Sequence, residues 1–394
     1  MKEELIRKYA SMLARVGLNI QKGQKVLVEA CIEGYEFANI FAKEAYEAGA
    51  GEVIVNYLDQ GLLKTKAKYL DGRKVAEIKP YEYEMYESNL KEGACTIRLE
   101  GVNPLQMEDA SEEEANAIFS YIDNMRNIMR KSARERGCQW CIAMVPTYSW
   151  ATLLFPDLDK EEALDKLWQL LLDFCYITEN NDIAKVWEEK NQRKNIQARK
   201  LDELQIKSLH YKAKNGTDLT IELSKDSKFC FEHGDGIIFN ANMPTEEIST
   251  SPLKTGVNGV VYSTRPLLLG GKKIENFGFR FENGKVVEII ADKGYQMLEA
   301  LVNTDENAGY LGEVALVEYS SPISKSGLVF YTTLIDENAS CHLALGRALG
   351  KPSPDFNDSS IHIDFMVGTS DLDIVATLID GSQVEIFKNG DFAI

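Results

Sequence analysis

The chain has 394 residues, which is long for a single hydrophobic core and predicts two domains. Its formal net charge of −17 argues against nucleic acid as the main partner, because a nucleic-acid interface needs a basic surface. No apolar run is long enough to cross a bilayer and no leader-like apolar segment opens the chain, so the sequence predicts a cytoplasmic protein without a membrane partner.

The first half of the chain alternates between helical and strand patterns. Apolar residues recur at helical spacing from Leu5 to Val16, and Gly17 ends this run. We predict strands at 25–30, 52–57, 94–100 and 139–145, a helix at 35–48, a helix between the last two strands, and further helices at 160–175 and 183–204. This order is typical of an open parallel sheet covered by helices, an N-terminal α/β domain.

Two features of this half superficially suggest cofactor or metal chemistry. Gly49 and Gly51 follow a helix and precede a strand, the reverse of a nucleotide-binding loop, so we interpret them as a helix C-cap. Cys138 and Cys141 form a CxxC pair without a second pair, and their apolar neighbours favour core packing over a zinc or redox site. The seven scattered cysteines suit a reducing compartment.

The pattern changes near Gln205, where turn signals begin to separate short strands. The turns are Asn215-Gly216, Asn283-Gly284, Asp380-Gly381 and Asn389-Gly390. Such pairs favour the turns of β-hairpins, so the second half is predicted to be mainly antiparallel β with a few helices. We therefore predict an α/β domain over 1–205 and an α+β domain over 206–394, with the helix at 183–204 as the connection.

Histidines and carboxylates of the second half are candidate metal ligands. His362 and Asp364 stand two apart in an alternating apolar run, so both leave the same face of a predicted strand. An imidazole beside a carboxylate suits a divalent metal such as zinc, although a satisfied buried pair is an equally open interpretation. His342 opens the segment HLALGRAL, whose composition predicts a helix.

Further carboxylates border apolar runs earlier in this half. Glu246 and Glu247 follow Pro244-Thr245, and Glu313 follows Gly312. A carboxylate buried there needs a cation or strong donors. Of the other two histidines, His210 and His233 have no carboxylate at a metal-like offset and are predicted to be structural or superficial.

Four segments, NMPTEEISTSP, LGEVALVEYSSP, FYTTLIDENASCHLALG and SSIHIDFMVGTSDLDI, resemble those of the thermophilic metallo-aminopeptidase family of the aminopeptidase T and aminopeptidase S type. The similarity extends to the opening LIRKYASMLARVGLNIQKGQKVLVEA, and so covers nearly the whole chain. It implies a hydrolase that trims short peptides from the N-terminus, and a homodimer that encloses its active sites.

The resemblance also implies two co-catalytic divalent ions, such as zinc, cobalt, manganese or magnesium. Carried over by motif, their ligands are Glu247, Glu313, His342, His362 and Asp364. Glu247 is preferred to Glu246 because of its separation from Glu313. The ions would activate a water for attack on the peptide bond. Glu313 and Glu246 are the candidate general bases.

This chain departs from the family pattern in two places. Leu349 stands where the family often has a tyrosine, seven residues after the first metal histidine, and the loop between the two metal histidines is shorter. Tyr331 is the candidate to donate to the oxyanion in place of that tyrosine, and a plain core tyrosine is the alternative. The competing functions are a metallo-amidase acting on non-peptide substrates and a binding or assembly protein with reduced catalysis. A serine hydrolase is disfavoured because there is no GxSxG motif.

Overall fold

The computed structural model of the protein describes residues 3–101, 103–229, 236–269, 272–349 and 352–394. The described chain forms two compact units. The first comprises Met1–Glu189, Glu232–Thr245 and Gly270–Lys272, and the second comprises Lys190–Phe231, Glu246–Leu269 and Lys273–Ile394. The division into domains at residue 205 stays a prediction. No helix in the described ranges is both long and apolar enough to cross a membrane.

The first unit contains nine helices among its described residues, the last of which continues into the second unit. They are α1 Glu3–Met12, α2 Tyr35–Glu47, α3 Gln60–Tyr69, α4 Gly72–Ala76, α5 Pro80–Lys91, α6 Glu112–Arg136, α7 Tyr148–Leu154, α8 Lys160–Phe174 and α9 Ile183–Glu203. A π-helical turn, Leu13–Gly17, extends α1. The predicted helices are therefore present, and α3, α4, α5 and α7 are additional.

The first unit is built on a five-stranded parallel sheet. Its strands are β1 Lys25–Cys31, β2 Glu52–Leu58, β3 Cys95–Glu100, β4 Trp140–Met144 and β7 Asn242–Met243, in the spatial order β2-β1-β3-β4-β7. All four pairings are parallel. Strand β1 is buried from Val26 to Cys31, as expected when helices cover both faces of a sheet. Cys138 and Cys141 are also buried, in agreement with a packing role.

In its described residues the second unit contains the remaining strands and, besides the end of α9, three short helices. They are β5 Ile206–Lys212, β6 Asp218–Glu222, β8 Ile248–Thr250, β9 Val257–Tyr262, β10 Leu267–Leu269, β11 Lys272–Glu282, β12 Lys285–Lys293, α10 Tyr295–Val302, β13 Leu311–Leu316, α11 Pro322–Lys325, α12 Thr333–Asp336, β14 His342–Gly346, β15 His362–Met366, β16 Asp373–Leu378, β17 Gln383–Lys388 and β18 Asp391–Phe392. A 3₁₀ turn, Glu337–Ala339, follows α12.

These strands form a nine-stranded sheet and a four-stranded sheet. The four predicted turns each connect antiparallel strands, and their glycines have φ between 83° and 99°. The four-stranded sheet has the order β15-β14-β13-β8 and is antiparallel throughout. The predicted mixture of an α/β part and a mainly antiparallel part is confirmed.

A shared apolar core fixes the four-stranded sheet in the second unit. Phe365 of β15 is buried, and its ring centroid lies 5.3 Å from that of Phe279 and 6.1 Å from that of Phe277 on β11 of the larger sheet. Side chains alternate along a strand, so the neighbours of Phe365 point away from this core. The other face of the small sheet is thereby available for polar groups.

The prediction of a helix beginning at His342 is wrong, because these residues form strand β14. Leucine and alanine favour helices locally, but here pairing with β13 on one side and β15 on the other outweighs that propensity. Gly346 ends the strand with φ of 100°, and a Cβ at this position would lie 2.2 Å from the carbonyl oxygen of Ile361. Only glycine fits so close to the neighbouring backbone.

Candidate metal centre

Five polar side chains that the sequence predicts as ligands meet on the four-stranded sheet. Glu313 lies on β13, His342 on β14, and His362 and Asp364 on β15, while Glu247 directly precedes β8. Because these strands are neighbours in space, the structure brings together residues that are separated by as many as 117 positions in the chain, from Glu247 to Asp364.

The strand register explains how the carboxylates approach each other. Ala344 of β14 pairs with Glu313 on one side and with Asp364 on the other. Gly346, two residues further along the same face, pairs with His362. The small side chain of Ala344 leaves space for the longer polar side chains on either side of it.

The polar atoms form close contacts across the strands. His342 Nε2 lies 3.3 Å from Glu247 Oε2. His362 Nε2 lies 3.1 Å from Glu313 Oε2 and 3.3 Å from Asp364 Oδ1.

Among the residues that the structure describes, three groups have potential ligand atoms within 4.8 Å of one another. They are Glu247–Glu313–His342, Glu313–His362–Asp364 and Glu337–His342–Asp364. We call the first the Glu247 group and the second the His362 group. These two share Glu313, so its carboxylate faces both.

Both imidazoles are held through their Nδ1 atoms. His342 Nδ1 donates to the carbonyl oxygen of Glu337 at 2.9 Å, and His362 Nδ1 donates to that of Arg347 at 2.7 Å. A proton fixed on Nδ1 leaves Nε2 of each ring directed at the carboxylates, which is the arrangement that metal-binding histidines use.

The centre concentrates charged groups in a buried place. Burial alone lowers the pKa of His342, but the neighbouring carboxylates, Glu247 first among them, outweigh this effect and raise the pKa to about 10. Burial opposes the charged form of His362 in the same way, and Asp364 is the main cause of its pKa lying well above the ordinary value. Burial also raises the pKa of Asp364, yet His362 reverses this effect and keeps it below the ordinary value.

Two carboxylate oxygens of the centre fit a divalent cation. Glu313 Oε1 is buried and forms no hydrogen bond within the described part of the chain. Asp364 Oδ1 is also buried, and His362 Nε2 lies 3.3 Å from it without the geometry of a hydrogen bond. An unsatisfied buried carboxylate oxygen is costly, and a bound cation would satisfy both atoms. Imidazole nitrogens with carboxylate oxygens suit zinc, cobalt and manganese. The residues present therefore fit the metal that the sequence predicts.

The neighbouring glutamates Glu246 and Glu247 have different surroundings. Glu247 faces His342, whereas Glu246 Oε2 lies 3.2 Å from Lys190 Nζ of α9. The backbone N–H of Glu246 donates to Asn338 Oδ1 at 2.6 Å. This placement supports the preference for Glu247 over Glu246, which stays a prediction about ligation.

Sequence reasoning missed Glu337 as a member of the centre. Glu337 is buried in the 3₁₀ turn before β14, and its carboxylate belongs to the third group. Burial, followed by the charge of Asp364, raises its pKa well above the ordinary value. The available signal was the acidic pair Asp336-Glu337 inside an apolar segment. Asp336 has a separate partner, because its Oδ1 accepts from Arg265 Nη1 at 2.9 Å.

Tyr331 occupies a constrained turn of the second unit. Its φ of 57° lies in the left-handed region, which is uncommon for a tyrosine. Asp336 accepts the N–H groups of Phe330 and Thr332 on either side of it, at 3.1 and 3.3 Å. The hydroxyl of Tyr331 lies 3.5 Å from Lys273 Nζ. Its role in catalysis stays a prediction.

The two remaining histidines were predicted to be structural or superficial. His210 is half-exposed on β5, where its Nε2 lies 2.8 Å from Asp218 Oδ1, so it is an ordinary surface pair. His233 lies outside the described residues.

Comparison with known proteins identifies the family. The sequence profile of the family described as thermophilic metalloprotease (M29) matches residues 2–392. "Aminopeptidase AmpS" of Bacillus subtilis is 38% identical over 401 residues, covering 98% of this chain and 97% of that protein. "Aminopeptidase T" of Thermus aquaticus is 33% identical over 405 residues, covering 99% of each chain.

A solved structure gives the same result for the fold. "Wild-type AmpT from Thermus thermophilus" superposes with a TM-score of 0.92 at 32% identity, covering 100% of both chains. The resemblance predicted from the four segments is confirmed, and so is the predicted class of enzyme. The chain belongs to the thermophilic metalloprotease (M29) family and is a metallo-aminopeptidase, a hydrolase.

Proposed function

We propose that this enzyme removes N-terminal residues from short peptides by means of two divalent ions, zinc, cobalt, manganese or magnesium. The ligands are Glu247, Glu313, His342, His362 and Asp364. The observation that carries this proposal is the sharing of Glu313 between the Glu247 group and the His362 group. A carboxylate with two oxygens can serve two adjacent cations, and paired carboxylate–imidazole groups are the arrangement of two-metal hydrolases.

Bound ions would supply Lewis acidity and a nucleophilic water at neutral pH. The protein's own part is to orient the ligands and to accept a proton. Backbone carbonyls fix both imidazole rings through Nδ1, as described above. Glu313 and Glu337 are the carboxylates that we propose as acceptors of the proton of the attacking water. Of these, Glu313 also joins the two groups, whereas Glu337 contacts the centre from the 3₁₀ turn. Burial and the neighbouring negative charges raise the pKa of Glu337, and its ionised form would be favoured once bound ions offset those charges.

The centre favours a substrate that carries a free α-amine. It combines four carboxylates, Glu247, Glu313, Glu337 and Asp364, with two imidazoles. An ammonium or a neutral amine is therefore a suitable partner for a carboxylate or for a bound ion. The chain's formal charge of −17 attracts positively charged peptide N-termini. We assign the oxyanion contact to Tyr331, which its constrained turn would hold in place.

The association and the location of the enzyme are part of the same proposal. The homodimer rests on the family resemblance. The cytoplasmic location rests on the seven scattered cysteines, an odd number that suits a reducing compartment better than a disulfide framework.

The direct test compares one short peptide with its N-acetylated form. We expect the purified enzyme, supplied with cobalt, zinc or manganese, to cleave the free peptide and to leave the acetylated form intact. Chelation should abolish cleavage and metal should restore it. Efficient cleavage of the acetylated form would support an amidase instead, and no turnover of either form with metal supplied would support a binding protein.

A further inference from the structure

Two buried asparagines lie beside the metal centre without belonging to it. Asn338 is 0% exposed and Asn357 is 2% exposed. Asn338 lies in the 3₁₀ turn before β14, and Asn357 lies in the loop between β14 and β15. Each side-chain amide forms hydrogen bonds to the backbone, and these partners indicate what it holds in place, although Asn357 Oδ1 forms no hydrogen bond within the described residues.

Asn338 connects the backbone near two members of the Glu247 group. Its Oδ1 accepts the N–H of Glu246 at 2.6 Å, directly before Glu247. Its Nδ2 donates to the carbonyl oxygen of Leu334 at 3.0 Å, which anchors it to α12. The residue before it, Glu337, supplies the carbonyl oxygen that His342 Nδ1 contacts. The orientations of Glu247 and His342 therefore depend on the same turn.

Asn357 has the corresponding position on the side of His362. The side-chain Nδ2 donates to the carbonyl oxygen of Gly346 at 2.6 Å. The backbone carbonyl oxygen of Asn357 accepts the N–H of Ala348 at 2.9 Å, a contact that does not depend on the side chain. These two contacts flank Arg347, whose carbonyl oxygen accepts from His362 Nδ1. Asn357 Nδ2 also donates to the carbonyl oxygen of Asn307 at 2.9 Å, so it ties this loop to the chain before β13.

We infer that Asn338 and Asn357 are positioning residues for separate halves of the centre. Asn338 orients the Glu247 group, and Asn357 orients the His362 group. The inference rests on the proposed two-ion function, since it assigns one support to each ion. Partners of metal ligands tune affinity by about 10- to 100-fold, so each asparagine should govern the uptake of one ion and leave the other nearly unchanged.

The experiment titrates cobalt into the metal-free, full-length protein and follows binding by calorimetry and by the visible spectrum of the cobalt ions. The unsubstituted protein should bind two ions. Asn338→Ala and Asn357→Ala should each bind one ion as before and the other about 10- to 100-fold more weakly. Thr217→Val is the matched control, because its buried hydroxyl accepts the N–H of Tyr262 in the nine-stranded sheet. It should lower stability without changing cobalt uptake.

A double-mutant cycle identifies which half each asparagine supports. Asn338→Ala should add little further loss of affinity to His342→Ala, and it should weaken the ion that remains in His362→Ala. Asn357→Ala should show the reverse pattern. If Asn338→Ala does not fold, Asn338→Asp replaces it, since the aspartate retains the acceptor for Glu246 N–H. That variant should recover part of the affinity that Asn338→Leu loses.

The outcomes separate this inference from the proposed function. If the unsubstituted protein takes up fewer than two ions, the proposed two-ion function fails. If it takes up two ions, but either asparagine variant weakens both equally or weakens neither, the inference is overturned and the proposed function stands.

Discussion

His362 and Asp364 leave the same face of β15, and their polar atoms lie 3.3 Å apart. We expect His362→Ala or Asp364→Ala to lower activity by about 100-fold or more and to reduce bound metal, because each would remove a proposed ligand of the ion that activates the water. His210→Ala should retain full activity, since its ring pairs with an exposed surface carboxylate, that of Asp218. Metal content and initial rates measure this, and equal losses from all three substitutions would indicate a folding defect.

Glu313 and Glu337 differ in what their removal should do. Glu313 belongs to both groups that we assign to ions, so Glu313→Gln should lose metal and activity together. Glu337→Gln should keep both ions while the rate falls by about 100-fold, within the range typical of a lost proton acceptor. Metal analysis beside rate measurement distinguishes them. Unchanged activity in Glu337→Gln would remove Glu337 from the mechanism.

At the scale of the element, strand β14 provides the floor of the centre. Ala344 lies between Glu313 and Asp364 in register, so Ala344→Leu would place an isobutyl group on the face that carries the ligands. We expect this variant to lose metal binding. Ala344→Ser, which is close in size to alanine, should retain it. Cobalt titration of both variants is the measurement, and normal uptake in Ala344→Leu would contradict the proposed floor.

Asp305 stabilises the loop before β15, because its carboxylate accepts hydrogen bonds from Ser359 and Ser360. Partial burial opposes its charge, but these bonds, Ser360 first, lower the pKa of Asp305 well below its ordinary value. A lowered folded-state pKa stabilises the fold above the unfolded value of about 4, and this stability is lost as the pH falls through the folded value.

We therefore expect Asp305→Asn to cost about 1–3 kcal/mol at pH 7, as for other hydrogen bonds to charged groups. The difference from the unsubstituted protein should shrink as the pH drops below about 4. Urea unfolding of both proteins at pH 7 and at a pH below about 4 measures this difference in stability. A difference that is independent of pH would show that the charge of Asp305 contributes nothing.

Strand β15 was predictable from sequence, and strand β14 was not. The alternation around His362 and Asp364 is a strand signal that any half-buried sheet would produce. HLALG has no such alternation, because all five residues of β14 are buried. Glu337 was missed for a related reason, since its contribution depends on a 3₁₀ turn that brings it to His342 and Asp364. Contacts between distant parts of the chain determine both strand β14 and the position of Glu337, and the periodicity of a local sequence does not reveal such contacts.

At the scale of the whole molecule, a metal that binds the folded centre must stabilise the fold. Binding to the folded state alone contributes about 4 kcal/mol at a ligand concentration 1,000 times the dissociation constant. We expect chelation to lower the melting temperature and cobalt, zinc or manganese to restore it. Thermal unfolding with and without chelator measures this. Identical melting temperatures, with metal analysis confirming removal, would contradict a structural contribution from the ions.

The fold class was accessible from sequence, and so were most of the side chains that meet at the centre, because they depend on local patterns and long motifs. The assignment of chain segments to the two compact units was harder to predict from sequence. Lys190 begins the second unit inside α9, and β7 joins the sheet of the first unit although it lies beyond the second unit's first hairpin. A two-residue strand has too few positions for any periodicity to be detected.

The position of β7 has a consequence for how the protein is made. Until Asn242 and Met243 have been synthesised, β4 has an unpaired edge, and the first sheet of the nascent chain remains open to pairing with other chains. Expression of residues 1–205 alone would leave that edge exposed permanently, so such a fragment should self-associate. An isolated N-terminal fragment therefore has to include β7, either by extending the fragment or by grafting this strand after β4.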